Sequence, residues 1–290
     1  MKLLITGAKG QLGSELVRLG SNHELLAVDH DGLDICNADA VNLLMNDFCP
    51  DVVVNAAAYT AVDRAESDRD AAFAVNRDGP ANLAKACERV GIPLIHVSTD
   101  YVFDGSKIGS YVEDDPVCPL GVYGASKLAG EQAIQEHCSH HIILRTSWVF
   151  SAHGHNFVKT MLRLGSNKSE LSVVADQHGC PTAAAELARG IYALMDSGLD
   201  DSVWGIYHFC QPDPATWYSF AESIFDAAAR QGHDLKLNRL NAIVTSDYPT
   251  LAKRPANSAL DCSKFESVFE VMIKPWRESL VEVVNELKAQ

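Results

Sequence analysis

The segment Gly7-Ala8-Lys9-Gly10-Gln11-Leu12-Gly13 constrains the fold of this chain more than any other. It follows an apolar run, Lys2 to Thr6, that reads as a strand, and it opens a run, Gln11 to Leu19, with helical periodicity. Glycines spaced G-x-x-G-x-x-G between strand and helix allow a tight turn and a close approach of pyrophosphate to backbone. The helix end beyond it offers free N–H groups and a positive dipole. Such a motif is weak by itself, but in a strand–turn–helix context it points to a dinucleotide. Gly7, Gly10, Gln11, Leu12 and Gly13 are thus the first candidate cofactor residues.

The rest of the chain extends this pattern. Residues 24–29, Val52–Asn55, 93–99 and 142–148 read as strands, several of them continuous apolar runs suited to burial on both faces. Helical segments between them imply parallel crossovers. The helical pattern over 70–90 is interrupted at Gly79-Pro80, where proline should kink or restart it. Beyond residue 150 the texture changes. Helices are expected over 156–164, 186–195, Trp217–Arg230 and 276–287, and strands over 171–175 and 204–210. Trp204, Trp217 and Trp276 read as packing residues. The predicted architecture is α/β: a Rossmann-type doubly wound parallel sheet over 1–150, completed by parts of 180–210. A smaller α+β substrate-binding lobe, mainly 151–290, is interleaved with it.

Composition narrows the function. The formal charge of −14 over 290 residues weighs against a nucleic-acid partner, which requires a basic stripe. The eight cysteines are widely spaced with no C-x-x-C pair, which suits idle thiols in a reducing compartment. The apolar run before Gly7 is too short for a signal-peptide core, and no apolar stretch reaches the roughly 18 residues of a membrane span. A cytoplasmic location is the expectation.

Asp29 ends the second expected strand, near the offset at which an acidic residue holds the adenine ribose hydroxyls; the other reading is a carboxylate capping a turn. Its neighbours His30 and Asp31 include no Arg or Lys, which favours NAD over NADP. Ligands of open α/β sheets bind outside the carboxyl ends of the strands. Those ends carry Gly7, then Asn55 to Ala58, then Ser98-Thr99-Asp100, then Arg145 to Trp148. Small residues after Asn55 let a flat cofactor lie close, and Ser98 and Thr99 are expected to face the reacting centre. Thr99 reads equally as a strand-end hydroxyl satisfying local backbone. Tyr123 and Lys127, at i and i+4, share one face of a helix that begins here. An ammonium beside a phenol lowers its pKa and fits it for proton exchange with a carbonyl or alcohol oxygen.

With these residues in place, the chain resembles the extended short-chain dehydrogenase/reductases, and within them the reductases of dTDP-linked 4-keto sugars. The resemblance is carried nearly end to end. It rests on the glycine turn, Val54-Asn55-Ala56-Ala57-Ala58-Tyr59-Thr60-Ala61-Val62-Asp63, Ser98-Thr99-Asp100-Tyr101-Val102-Phe103-Asp104-Gly105 and 123–131. Leu144-Arg145-Thr146-Ser147-Trp148, Asp176-Gln177-His178-Gly179-Cys180-Pro181-Thr182 and Arg254-Pro255-Ala256-Asn257-Ser258 complete it. The resemblance implies hydride transfer from NADH or NADPH to the C4 keto group of dTDP-4-dehydro-6-deoxy-L-mannose. It implies Tyr123 as proton donor, Lys127 on the nicotinamide ribose, and Thr99 on the sugar near C4. It further implies cofactor contacts from Asp29, Asp34, Ile35, Ala58, Tyr59 and Thr60. Substrate contacts fall to Thr99, Asp100 and Trp148, with Arg254 and Asn257 gripping the nucleotide. Some members dimerise through a metal bridged by glutamates. Glu15 matches one such position and Glu186 lies near another, but no metal is carried over, and monomer and homodimer both stay open.

Two other readings remain: an epimerase or different nucleotide-sugar reductase of the same superfamily, and a regulatory subunit resembling the β subunit of methionine adenosyltransferase. The intact Thr99, Tyr123 and Lys127 weigh against the second. His137, His140 and His141 follow the expected catalytic helix, where histidines suit the dipole at its end. His153 and His155 lie in a loop near the expected site, read as solvated in preference to a contact with substrate phosphate.

Overall fold

Leu3 and Ile5 point to one side of the first strand and Leu4 to the other, and all three are fully buried. A strand of this kind needs cover on both faces. The computed structural model, which describes residues 1–289, provides it with a six-stranded sheet. The strands are β1 (Lys2–Thr6), β2 (Glu24–Val28), β3 (Val52–Asn55), β4 (Leu94–Thr99), β5 (His141–Thr146) and β6 (Gly205–His208). Their order is β6-β5-β4-β3-β1-β2, every pairing parallel. Leu3, Ile5, Val54, Ile95 and Leu144 pack against α1 (Gln11–Leu19) and the helix Ala184–Asp196 on one face. Leu4, Val53, Leu94 and Ile143 pack against Ala38–Phe48 and Gly79–Val90 on the other.

The helix expected over 70–90 restarts at its proline, one of the two outcomes expected there. Arg69–Phe73 leads into a π turn, Ala74–Asp78, and Gly79–Val90 restarts with proline in its first turn, where no N–H is lost. Gly91, at φ +70, closes it. The strand expected over 142–148 stops at Thr146. Trp148 takes a left-handed backbone, φ 48, and Val149–Phe150 then pairs with Thr182–Ala183 in a separate two-stranded sheet. The sequence reading passed over Ala38–Phe48, although Asn37 caps it, its side chain accepting from the N–H groups of Asp39 and Ala40. It also passed over the strand Arg239–Ile243, which pairs parallel with Glu170–Val174, and the helix Ser263–Phe269.

A second core gathers Phe157–Gly165, Trp217–Arg230 and Trp276–Ala289 around Phe150, Phe220, Ile224 and Trp276. Gln11 ties this lobe to the glycine turn. Its Oε1 accepts from Asn156 Nδ2 at 2.9 Å and from Ser151 Oγ at 3.2 Å. No described helix is long and apolar enough to cross a membrane.

Candidate active site

Gly7 sits at φ +73, and a Cβ there would come within 2.6–2.8 Å of the backbone of Ala56 and Ala57. Only glycine permits both the turn and this approach of β1 to β3. A Cβ on Gly13 would overlap the Gly7 carbonyl, so α1 lies directly on the turn. Gly10 is the N-cap of α1, with no side-chain cap, which leaves the first-turn N–H groups available. These features are what a pyrophosphate cradle requires.

The turn opens into a cavity of about 740 Å³ along the carboxyl edge of the sheet. Gly7, Gly10, Gln11 and Leu12 line one end, with Asp29, Asp34 and Ile35. Ala58, Tyr59 and Thr60 line its flank, and Thr99, Asp100, Tyr123, Lys127 and Trp148 its far end. Gly13 is not in the lining; it packs behind. The cavity has the size and the small-residue walls that a dinucleotide plus a sugar would need.

Two expected substrate residues stand apart from this lining. Arg254 Nη2 pairs with Asp63 Oδ2 at 2.9 Å, and Asn257 Nδ2 donates to the carbonyls of Lys107 and Gly109 at 2.8 and 2.7 Å. Asn257 thereby fixes a loop. Conversely, Trp217, read as packing, lines the cavity with its ring stacked on Trp148, centroids 3.5 Å apart and planes 7° from parallel. His155 and Gly154 also line it, so this loop is part of the wall.

Asp29 has no Arg or Lys beside it in sequence, but it has one in three dimensions. Lys9, on the glycine turn, forms an ion pair with Asp29 and lies 3.6 Å from Asp31. The pairing raises Lys9 and lowers Asp29 from their ordinary values. The glycine-turn end of the cleft therefore holds a cation as well as carboxylates, and the argument for NAD over NADP loses its basis.

At the other end, burial pushes the Tyr123 phenol up to about 12, while a hydrogen bond with Thr99 pulls it back. Tyr101 meets Tyr123 edge to face at 5.5 Å. Thr99 Oγ1 donates to Asp100 Oδ1 at 2.9 Å and accepts from the N–H of Tyr101 at 3.2 Å. Burial lifts Asp100 to about 6, against hydrogen bonds from Ser258, Thr99 and Ser147. Lys127 does not lower the phenol as expected. Its Nζ is engaged elsewhere, on the Val97 carbonyl at 2.7 Å and His96 Nε2 at 3.1 Å. Burial pushes it down to about 8, opposed by Glu131. Ser98 lines the cavity, but its hydroxyl donates to Glu131 Oε1.

The sequence reading missed two buried residues here. Asn76, in the π turn, accepts from the Tyr59 N–H at 2.8 Å and donates to the Tyr59 carbonyl and to Ser126 Oγ, both at 3.0 Å. The π turn thus aims one amide at the cofactor-side loop; the break at Gly79-Pro80 was its only sequence signal. His96 is the other. Glu15 and Glu186 each pair with an arginine, Arg18 and Arg189. Among the described residues no cluster of three or more metal-ligating side chains occurs.

A parallel Rossmann sheet with a glycine turn after β1, and Thr99, Tyr123 and Lys127 gathered at its carboxyl edge, defines an NAD(P)-dependent oxidoreductase of the extended short-chain dehydrogenase/reductase type. The chain belongs to the RmlD family: residues 1–289 match the family model described as RmlD substrate binding domain. The dTDP-4-dehydrorhamnose reductase of Aggregatibacter actinomycetemcomitans is 46% identical to it, over 97% of this chain and 98% of the relative. A crystal structure of a dTDP-4-dehydrorhamnose reductase from Clostridium acetobutylicum ATCC 824 superposes with a TM-score of 0.91 at 39% identity, covering 99% of this chain and 100% of that one. One from Bacillus anthracis str. Ames, in complex with NADP, gives 0.91 at 37% identity over 98% and 99%.

Proposed function

We propose that this protein reduces the C4 keto group of dTDP-4-dehydro-L-rhamnose, giving dTDP-L-rhamnose, with NADH or NADPH as reductant. The observation that carries this reading is the convergence of Thr99, Tyr123 and Lys127 on the cavity that the glycine turn opens, in a chain of this family. Gly7, Gly10, Gln11 and Leu12 would hold the pyrophosphate, Asp29 and Lys9 the adenine end, and Ala58 to Thr60 the flank. A bound reduced nicotinamide supplies hydride to C4.

Tyr123 donates its proton to the C4 oxygen as negative charge develops there. A phenol held high by burial is fully protonated at neutral pH and so is ready to donate. Thr99 orients the same oxygen, its own hydroxyl fixed by Asp100 and the Tyr101 N–H. Lys127, once turned into the cleft, binds the ribose and offsets the charge left on Tyr123. Trp148, backed by Trp217, forms the wall against which the sugar lies.

The eight cysteines are free, which suits a reducing cytoplasm, and we take the working unit to be a monomer or homodimer. The test is an assay of purified protein with NADH and with NADPH, each with and without dTDP-4-dehydro-L-rhamnose. Cofactor oxidation that depends on the sugar, with dTDP-L-rhamnose as product, is the expected result. Cofactor binding without turnover of this sugar removes the proposal.

A further inference from the structure

His96, on β4, is fully buried behind the cavity and belongs to an unbroken polar chain running from Thr6 to Lys127. Thr6 Oγ1 donates to Asn55 Oδ1 at 2.7 Å, and the N–H of Ala57 donates to the same oxygen at 3.1 Å. A backbone N–H is a donor under all conditions, so the oxygen of the Asn55 amide is fixed on that side. Its Nδ2 must then face His96 Nδ1, at 2.9 Å. Because Nδ2 can only donate, Nδ1 carries no proton. The imidazole is therefore neutral with its hydrogen on Nε2, and that hydrogen faces Lys127 Nζ at 3.1 Å.

An ammonium nitrogen has no lone pair to accept it. A neutral amine does: it accepts from Nε2–H with its lone pair and donates to the Val97 carbonyl at 2.7 Å. We propose that His96 is a positioning residue for Lys127. Asn55 fixes its tautomer, and its Nε2–H donates to the Nζ lone pair. Lys127 thus keeps its place against Val97 only as a neutral amine, and must turn into the cleft to carry a charge. The charge needed beside Tyr123 is thereby coupled to what fills the cleft, with the proton taken from solvent.

Burial acts in the same sense, lowering Lys127 to about 8 and His96 well below its ordinary value. The other ionisable groups around the pair are few. Glu131, one helical turn beyond Lys127, pulls it upward but is itself neutralised by Arg145 at 2.7 Å. Tyr123 lies one turn before it, and Asp100 lines the same cavity.

The inference rests on the proposed reductase reading for its consequence, but not for its first test. In cofactor-free, ¹⁵N-labelled wild-type protein, long-range ¹H–¹⁵N spectra of the histidine rings should show His96 with Nδ1 bare and Nε2 protonated, without titration near neutral pH. The opposite tautomer, or an imidazolium, overturns the proposal whatever the substrate is. The second test is the pH dependence of kcat/KM in two variants. His96→Asn keeps an acceptor for Asn55 but loses the donor to Lys127, whereas His96→Gln places an amide N–H where Nε2–H was. The basic limb should move up by about one pH unit in the Asn variant and return toward wild type in the Gln variant. Equal rate losses in both, with the limb unmoved, reduce His96 to a packing role and overturn the proposal. Failure of wild type to reduce the sugar removes the reductase reading, while the ring spectra still decide the tautomer.

Discussion

Thr99 and Asp100, adjacent in sequence at the end of β4, are joined through their side chains, Thr99 Oγ1 donating to Asp100 Oδ1 at 2.9 Å. Ser147 Oγ reaches the other carboxylate oxygen at 3.1 Å. Asp100 is raised from 3.8 to about 6, chiefly by burial. Between those values the native state keeps a proton that the unfolded chain has released. Stability from this group therefore falls as pH rises through that window. The activity should move the other way. Protonation of Asp100 frees the Thr99 hydroxyl from its fixed direction, so kcat/KM should drop as pH falls through about 6. In Asp100→Asn both the acid limb and this part of the stability slope should vanish. Denaturant unfolding and rate profiles between pH 4 and 8 check the two signs separately.

Tyr123→Phe removes only the phenolic oxygen and keeps the ring against Tyr101. Loss of a general acid costs roughly 10²–10⁴-fold. We expect kcat to fall within that range while the cofactor's dissociation constant, read by fluorescence titration, stays within about twofold. A rate near wild type would move the proton source to another group.

Lys9 is the cation at the glycine-turn end, paired with Asp29 and close to Asp31. Lys9→Glu leaves three carboxylates facing an incoming 2′-phosphate. The ratio of kcat/KM for NADPH over NADH should fall about tenfold at low salt, and less at high salt because exposed charges are screened. Steady-state kinetics with both cofactors at two ionic strengths measure it.

Sequence periodicity made the sheet legible because its inner strands are covered on both faces. Val52–Asn55, for example, is an apolar run with no competing helical reading. The cofactor turn was legible because glycine at a left-handed position has few alternatives, as Gly7 illustrates. Contacts between distant segments were not. Lys9 reaches Asp29 across twenty residues of chain, and Trp217 reaches Trp148 from a helix far along the chain. The network around Lys127 was hidden for the same reason: Asn55, His96 and Lys127 come from β3, β4 and a helix. Nothing local in His96 distinguishes it from any histidine in an apolar strand.

Glu131 and Arg145 form an ion pair with both side chains nearly inaccessible, Arg145 Nε and Nη2 bridging the carboxylate. Removing one partner strands the other. Glu131→Ala should destabilise the fold by about 3–5 kcal/mol, whereas the double variant Glu131→Met, Arg145→Leu should lose much less. Urea unfolding of the two variants tests this, and a double variant at least as destabilised as Glu131→Ala would show that a stranded charge is not the cause.

The stacked indoles give the last prediction. Trp148 is held at φ 48, a conformation costly for a bulky residue, so the surroundings must over-determine it. Trp217 covers one side of its ring, and Gly179 lies against its edge, where a Cβ would overlap the indole. Gly179→Ala should therefore displace Trp148 and cost about 1–3 kcal/mol of stability. Trp217→Ala removes the support without forcing the ring to move. Both should raise KM for the sugar nucleotide, but only the glycine variant should also lower the unfolding midpoint strongly. Indole emission in a Trp204→Phe, Trp217→Ala, Trp276→Phe background, where Trp148 is the remaining tryptophan, separates the two effects. A displaced ring should report a changed emission maximum when Gly179→Ala is added to that background, and an unchanged one would show that the wall does not depend on Gly179.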